Sequence, residues 1–533
     1  MKIQTFDIGT WLYPDSQITK YNDYVALDSA RNSDICFQIL TDLTAPKGTN
    51  VKWTLDTPDD NISVVVNELR PVLVKYNSGA VNYNAIDYEN VKDFITRKAP
   101  FEVYDLTRPI NDGMLWGDTG KTAFLVQVNV AAGASTGEKE LVLRLAVGDE
   151  VADININLHV HKSILCDAAD SPYPMGYWII VPAVCYNHGA ERFSEKYYHY
   201  VEQNLKQMKN MRCNHIQLPT PIPMRDEDGR IIDFDFSECD RYTEMAKKLG
   251  FRYINSGFVA TWKAWRDSKY YLYWDEDTEV ESMEGYRQLR IYFQRTKEFI
   301  ERHQLGNLYW QSFVDEPQLE NSMAYKALAC TCRKFIPNVQ IMDPVETPNV
   351  VGSCDIWIVK QAVYEKYKEQ YDSLMEMGEK LWVYSCGFPA NKWMNHIIDL
   401  PLAATHLIIW EGIKRGIDGF MHYGYHEFQK GMDPMYDTNF GRIYQKEMRY
   451  FPPGNHGVIY TDGEVIYDSV RAHVQRISAA EGELFLKLRE KESDACNEII
   501  GSVCTTFEEY VSDSVQIENA RRVLLEKLDG FCE

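Results

Sequence analysis

A chain of 533 residues with a formal net charge of −22 has room for about three domains, or for one large barrel with attachments. The acidity, with a pI near 5.1, argues against nucleic-acid or anionic-membrane partners, which both favour clustered Lys and Arg. Aromatic residues make up 13%, including 34 Tyr and 12 Trp, and sugar rings stack well on such side chains.

The stretch Met1-Lys2-Ile3-Gln4-Thr5-Phe6-Asp7 lacks the apolar core of a signal peptide, and no run of eighteen apolar residues occurs. A cytoplasmic protein with no membrane insertion is expected. The twelve cysteines are scattered. The closest pair, Cys330 and Cys332, falls in an expected helix where i,i+2 side chains do not face each other, so all are read as thiols.

Residues 1–166 are short, β-branched runs separated by Asp, Asn, Gly and Pro, as in Leu141-Val142-Leu143-Arg144-Leu145-Ala146-Val147. They read as one or two β-sandwiches. Residues 152–161 alternate strictly, which predicts a half-buried strand with His159 and His161 on one side, read as surface histidines. Gly117-Asp118-Thr119-Gly120-Lys121-Thr122 superficially matches a phosphate loop, but Leu115 stands where the first glycine belongs and the context is β-rich, so it is rejected. Asp167 to Pro174 reads as a linker.

From 172 to 450 the rhythm becomes apolar strand, loop and long helix, which predicts a parallel sheet. Strands are expected at 176–184, 214–218, 251–259, 308–314, 339–342, 355–359, 380–384 and 419–423. Helices are expected from Ser194, as a cap, to about Met211, from Ser237 to Leu249 with Gly250 closing it, and from Glu284 to His303. Eight such units indicate a (β/α)8 TIM-like barrel, preceded by the β-sandwich region. Residues 451–533 then give a short β-segment and a helical C-terminal tail, read as packing structure.

Chemistry concentrates where Tyr309-Trp310-Gln311-Ser312-Phe313-Val314 ends in Asp315-Glu316-Pro317. Neighbours in a regular strand point to opposite faces, so both acids serve one site only where the strand stops, and Pro317 supplies the stop. Two carboxylates this close do not both ionise cheaply, which leaves an acid beside an anion, the arrangement glycoside hydrolysis uses. Barrel catalytic groups lie at the carboxyl ends of strands, where Asp315 and Glu316 fall.

Candidate substrate-binding residues are His215 and Gln217 on the second strand, Tyr384 closing the seventh, Asn391 and Trp393 in the loop beyond it, and Tyr423 closing the eighth. Barrel filling is the competing reading for the strand residues, a turn residue for Asn391, and core for Trp410. His426-Glu427 begins like a zinc-protease helix, but Lys430 stands where the second histidine belongs; His422 and His426 are spaced to share a helical face, though they follow a strand and lack an evident third ligand. The reaction needs no metal and no cofactor.

In order and spacing, Arg192-Phe193-Ser194-Glu195, Asp233-Phe234-Asp235-Phe236, Asp315-Glu316-Pro317, Gly416-Ile417-Asp418-Gly419-Phe420, Pro452-Pro453-Gly454 and Ser469-Val470-Arg471 resemble glycoside hydrolase family 123 and its uncharacterised relatives. The resemblance spans most of the chain. It implies a retaining, exo-acting β-N-acetylgalactosaminidase-like enzyme on an oligosaccharide or glycoconjugate, with the substrate's own 2-acetamido oxygen as nucleophile. Glu316 would be the general acid and later the base, and Asp315 would hold the acetamido N-H. Where relatives end the last strand with a Tyr-Trp-Gly-like stretch, this chain reads His422-Tyr423-Gly424-Tyr425-His426-Glu427-Phe428, so the sugar-pocket wall differs. Two rivals stand beside this reading. One is a double-displacement glycosidase with Glu316 as acid/base and another strand-end carboxylate, such as Glu427, as nucleophile, and the other is a glycan-binding barrel without turnover.

Overall fold

The computed structural model describes residues 1–79, 92–117, 120–387, 389–444 and 447–531. Asp118 and Thr119 of the glycine-rich stretch lie outside them. The front of the molecule is two sheets on one core. A seven-stranded sheet runs in the order Ile3–Asp7, Ser33–Thr41, Ala123–Val130, Ile62–Val74, Phe101–Pro109, Ile466–Ser469, Tyr460–Thr461. A four-stranded sheet runs Tyr24–Arg31, Glu150–Ile164, Gly137–Val147, Val51–Asp56. Strict alternation in Glu150–Ile164 buries Ile154, Ile156, Leu158 and Val160 against Val126 and Val128 of the larger sheet. The larger sheet is completed from far along the chain, since Ile466–Ser469 pairs antiparallel with Phe101–Pro109 through Asp468 opposite Thr107.

Behind it stands a barrel of eight parallel strands: β1 (Met175–Tyr177), β2 (His215–Gln217), β3 (Tyr253–Asn255), β4 (Tyr309–Gln311), β5 (Gln340–Val345), β6 (Ile356–Lys360), β7 (Lys380–Ser385) and β8 (Gly419–His422). Every neighbouring pair from β2 round to β8 and on to β1 is laddered. The β1–β2 seam is joined by Asn214, whose N-H donates to Met175 O at 3.1 Å and whose Oδ1 accepts from Met175 N at 3.3 Å. Gly419 allows close packing inside, because a Cβ there would lie 2.5 Å from the Trp382 ring.

Local rules set the helices. Ser194 caps Glu195–Asn210 by accepting from Tyr197 N, and Gly250 ends Ser237–Leu249 in the left-handed region at φ 80°. The expected first strand, 176–184, is corrected: its ladder ends at Tyr177, and Val181–Asn187 is a helix. Pro182 explains the switch, since it cannot donate to a ladder but fits the first turn of a helix.

The tail holds the two parts together. Arg471, at the start of helix Val470–Lys491, is fully buried. Its Nε and Nη2 donate to Asp105 Oδ2 at 2.9 and 2.8 Å, and its remaining donors reach the carbonyls of His396, Gly454 and Gly457 at 2.7–2.8 Å. One guanidinium thus joins a front strand, the segment after β7 and the 452–457 loop. Among the described residues no helix is long and apolar enough to cross a membrane, and the eleven described cysteines are not in disulfides.

Candidate active site

The β4 ladder stops at Gln311, so the acid pair rides on an irregular continuation rather than at the end of a strand reaching Val314. Side chains from neighbouring strands take over its backbone bonds. Ser312 N donates to Ser256 Oγ at 2.8 Å, and Phe313 N donates to the Asp343 carboxylate at 2.9 and 3.0 Å. Phe313 O accepts from both Val259 N and Ala260 N at 2.8 Å. Asp343 lies on β5, fully buried, and also accepts from Tyr325 Oη at 2.8 Å. Burial pushes its carboxyl well above the usual range, while the bonds from Tyr325 and the Phe313 amide pull the other way.

The turn itself is strained. Glu316 has φ 50°, a left-handed conformation uncommon outside glycine. Flanking bonds hold it, from Gln318 Nε2 to Glu316 O at 3.0 Å and from Glu346 N to Pro317 O at 3.1 Å. Trp262 Nε1 donates to Asp315 O at 3.2 Å, and Trp265, 45% exposed, meets Trp262 edge-on at 5.1 Å between ring centres.

Around the pair the charges do not balance. Lys360 Nζ, at the carboxyl end of β6, lies 2.7 Å from Glu316 Oε1 and 2.5 Å from Glu346 Oε1. The Tyr384 hydroxyl also bonds Glu316, and it stands 3.5 Å from Glu346. Three carboxyl groups therefore crowd one buried ammonium. Burial and then the Glu316 charge push Asp315 up to about 8, with Lys360 pulling it down. Glu346 is raised by burial as well, against the pull of Lys360. Burial works against the charged form of Lys360, but Glu316, Cys386 and Glu346 together outweigh it and the ammonium is held. At neutral pH the cluster keeps a proton, in a place where one can be given to a substrate.

Of the residues singled out in the sequence, Asp315, Glu316 and Tyr384 are brought together. Gln217 is half-buried at the carboxyl end of β2, and Tyr423 is half-buried just past β8. In the segment after β7, Asn391 is held at φ 76° with its buried Oδ1 unbonded, and Trp393 packs on the core between barrel and helices. His215 belongs elsewhere: it is 1% exposed, stacks on Trp310 at 5.5 Å and meets Trp382 edge-on, so it fills the barrel interior. Burial lowers it to about 3. Trp410 is core, with its Nε1 bonded to Glu481. His422 bonds Ser385 Oγ and Asn455 O, and His426 follows on non-helical backbone, so the two share no helical face. Glu427 pairs with Arg442 at 3.3 Å rather than with the acid pair. His161 is not a surface residue; it is 1% exposed.

The residues missed in the sequence are Asp343, Glu346, Lys360 and Trp262. Lys360 had a signal, closing the apolar run Ile356-Trp357-Ile358-Val359 at a strand end, and Glu346 just after β5 had the same one. Asp343 had none, since its acceptors face a segment thirty residues away only in the fold.

A closed parallel barrel with an acid pair just past its fourth strand, and a lysine from the end of its sixth beside that pair, is an arrangement of the kind glycoside hydrolysis uses. Residues 178–485 match the family model described as glycoside hydrolase 123, catalytic domain, and the chain belongs to that family. Its structure is similar, over 100% of both chains, to a family 123 glycoside hydrolase from Clostridium perfringens, whose structural analysis concerned glycolipid glycan hydrolysis (TM-score 0.74, 12% identity). An endo-beta-1,4-mannanase from Thermotoga petrophila (TM-score 0.33, 12% identity, 60% of this chain and 78% of that one) shares too little structure to bear on function. The same holds for a putative beta-galactosidase from Bacteroides fragilis (TM-score 0.35, 10% identity, 84% and 58%). No curated protein matches the chain in sequence.

Proposed function

We propose that the chain is a retaining, exo-acting β-N-acetylhexosaminidase of N-acetylgalactosamine type, working by substrate assistance on an oligosaccharide or glycolipid glycan. The observation that supports it most is the uneven loading of the acid pair. Asp315 is pushed up to about 8 by burial and by Glu316, while Glu316 faces Lys360 and Tyr384. An acetamido N-H donating to Asp315 stabilises its ionised form and passes the pair's proton to Glu316. Lys360 keeps Glu346 as its counter-ion.

Glu316 then protonates the leaving oxygen while the acetamido oxygen attacks the anomeric carbon, and Asp315 balances the oxazolinium charge. Held in place, that oxygen acts at very high effective concentration, so the protein need supply no nucleophile. Glu316, now ionised, takes a proton from water as the water opens the oxazolinium, which restores the pair and retains configuration.

A second reading has one observation in its favour. Glu316 and Glu346 both touch Lys360 Nζ, at 2.7 and 2.5 Å, which keeps two carboxyl groups side by side as a double-displacement pair requires. Glu346 rather than Glu427 would then be the nucleophile. A thiazoline mimic of the oxazoline separates the two. Competitive inhibition at least about 100-fold tighter than substrate binding is expected. No inhibition, together with a covalent glycosyl adduct on Glu346, would establish double displacement instead.

A further inference from the structure

We infer that the four-stranded front sheet carries a binding site for a zinc-class divalent ion, formed by Asp28, His159 and His161. The site is separate from the acid pair and does not depend on the reading of the reaction. His159 and His161 are two apart on strand Glu150–Ile164, so both project from one face, and Asp28 sits opposite His159 on the paired strand Tyr24–Arg31. The two imidazoles stack at 4.3 Å with 22° between their planes. One ligand atom from each of the three residues lies within 4.8 Å of the other two.

The spacing is close to what zinc requires. His161 Nε2 is 3.1 Å from Asp28 Oδ1, and two ligands of a tetrahedral zinc stand about 3.4 Å apart. A few tenths of an ångström at that pair, and about an ångström of side-chain swing at half-exposed His159, complete three ligands. The fourth position opens toward solvent beside His159, whose side chain is 38% exposed, and takes water.

What distinguishes this cluster from a chance grouping is its outer shell. A metal-bound histidine characteristically gives its other ring nitrogen to a carboxylate, and a ligating carboxylate is itself hydrogen-bonded. Here His161 Nδ1 is 2.9 Å from Asp529 Oδ2, and His159 Nδ1 is 2.7 Å from Glu138 Oε1. Asp28 Oδ2 accepts from Arg522 Nε at 2.9 Å. The second polar atom of every ligand is thus already held, and the two Nε2 atoms with Asp28 Oδ1 are the ligand atoms assigned to the ion. Without metal, the His161 ring lies between Asp529 and Asp28, and the ion enters on the Asp28 side. Since Asp529 and Arg522 both belong to helix Ser514–Asp529, the ion also fastens that helix to the sheet.

The test uses the full chain, stripped with a chelator and titrated with zinc by calorimetry, with thermal melts alongside, for wild type, His159→Ala and His161→Ala. One saturable equivalent is expected for wild type, with a rise in Tm at saturation. His159→Ala should weaken that equivalent at least tenfold while leaving the metal-free Tm within about 2 °C, because His159 is half-exposed. His161→Ala should abolish it. Absence of a saturable equivalent in wild type, or an equivalent unchanged in His159→Ala, would overturn the proposal, whether or not His161→Ala folds.

Discussion

Arg471 and Lys360 are both buried cations that gather groups from distant parts of the chain, and they are finished to opposite standards. Around Arg471 one carboxylate and three carbonyls use its donors, Tyr460 Oη closes on the same Asp105 oxygen at 2.6 Å, and charge balances. Around Lys360 stand Glu316, Glu346 and nearby Asp315; burial, and after it this surplus of acid, raises Asp315 and Glu346, beside a left-handed backbone at Glu316. A satisfied network fixes the relation of two parts. An unsatisfied one stores a proton and strain, and such local inconsistency marks a functional site.

Breaking each cluster should therefore hurt in different ways. Arg471→Met leaves Asp105 buried without its cation and should cost about 3–5 kcal/mol of stability. Chemical denaturation checks it, with residual activity per folded molecule close to wild type. Lys360→Met should spare the fold and disturb the chemistry. Removing the cation that holds Asp315 and Glu346 down moves both carboxyls up, so the alkaline limb of kcat/KM, where the pair loses its proton, should shift to higher pH by about one unit, read from the pH profile.

The smallest effect sharpens the contrast through stability. Asp315 is at about 8 in the fold against an ordinary 3.8, so the folded state binds more protons than the unfolded between those values. Its contribution to stability is present below about pH 4 and lost as pH rises through 8. Asp315→Asn should melt above wild type at pH 8, by roughly 2 °C or more, with the difference shrinking toward pH 4. No corresponding gain is expected at Arg471.

Local chemistry was legible and long-range chemistry was not. Ser194, Gly250 and the span Ser237–Leu249 read directly, because caps, left-handed glycines and helical periodicity act within a few residues. The end of β4 did not, because Ser256 and Asp343 reach in from other strands to take its amides. The acid pair was visible as Asp315-Glu316-Pro317, yet the cluster that loads it comes from the ends of β5, β6 and β7, which only the closed barrel brings together. Of the motifs that carried the family resemblance, most build the frame. Arg192 forks onto Glu238, Asp233 onto Arg295, and Arg471 ties the parts together.

The most direct test is turnover of 4-nitrophenyl β-N-acetylgalactosaminide beside the N-acetylglucosaminide, galactoside and glucoside, for wild type, Asp315→Asn and Glu316→Gln. Cleavage confined to the two acetamido sugars, and lowered about 10²–10⁴-fold in both variants with folding intact, is the predicted result. Cleavage of the plain hexosides, or an Asp315→Asn variant as active as wild type, would contradict substrate assistance through this pair.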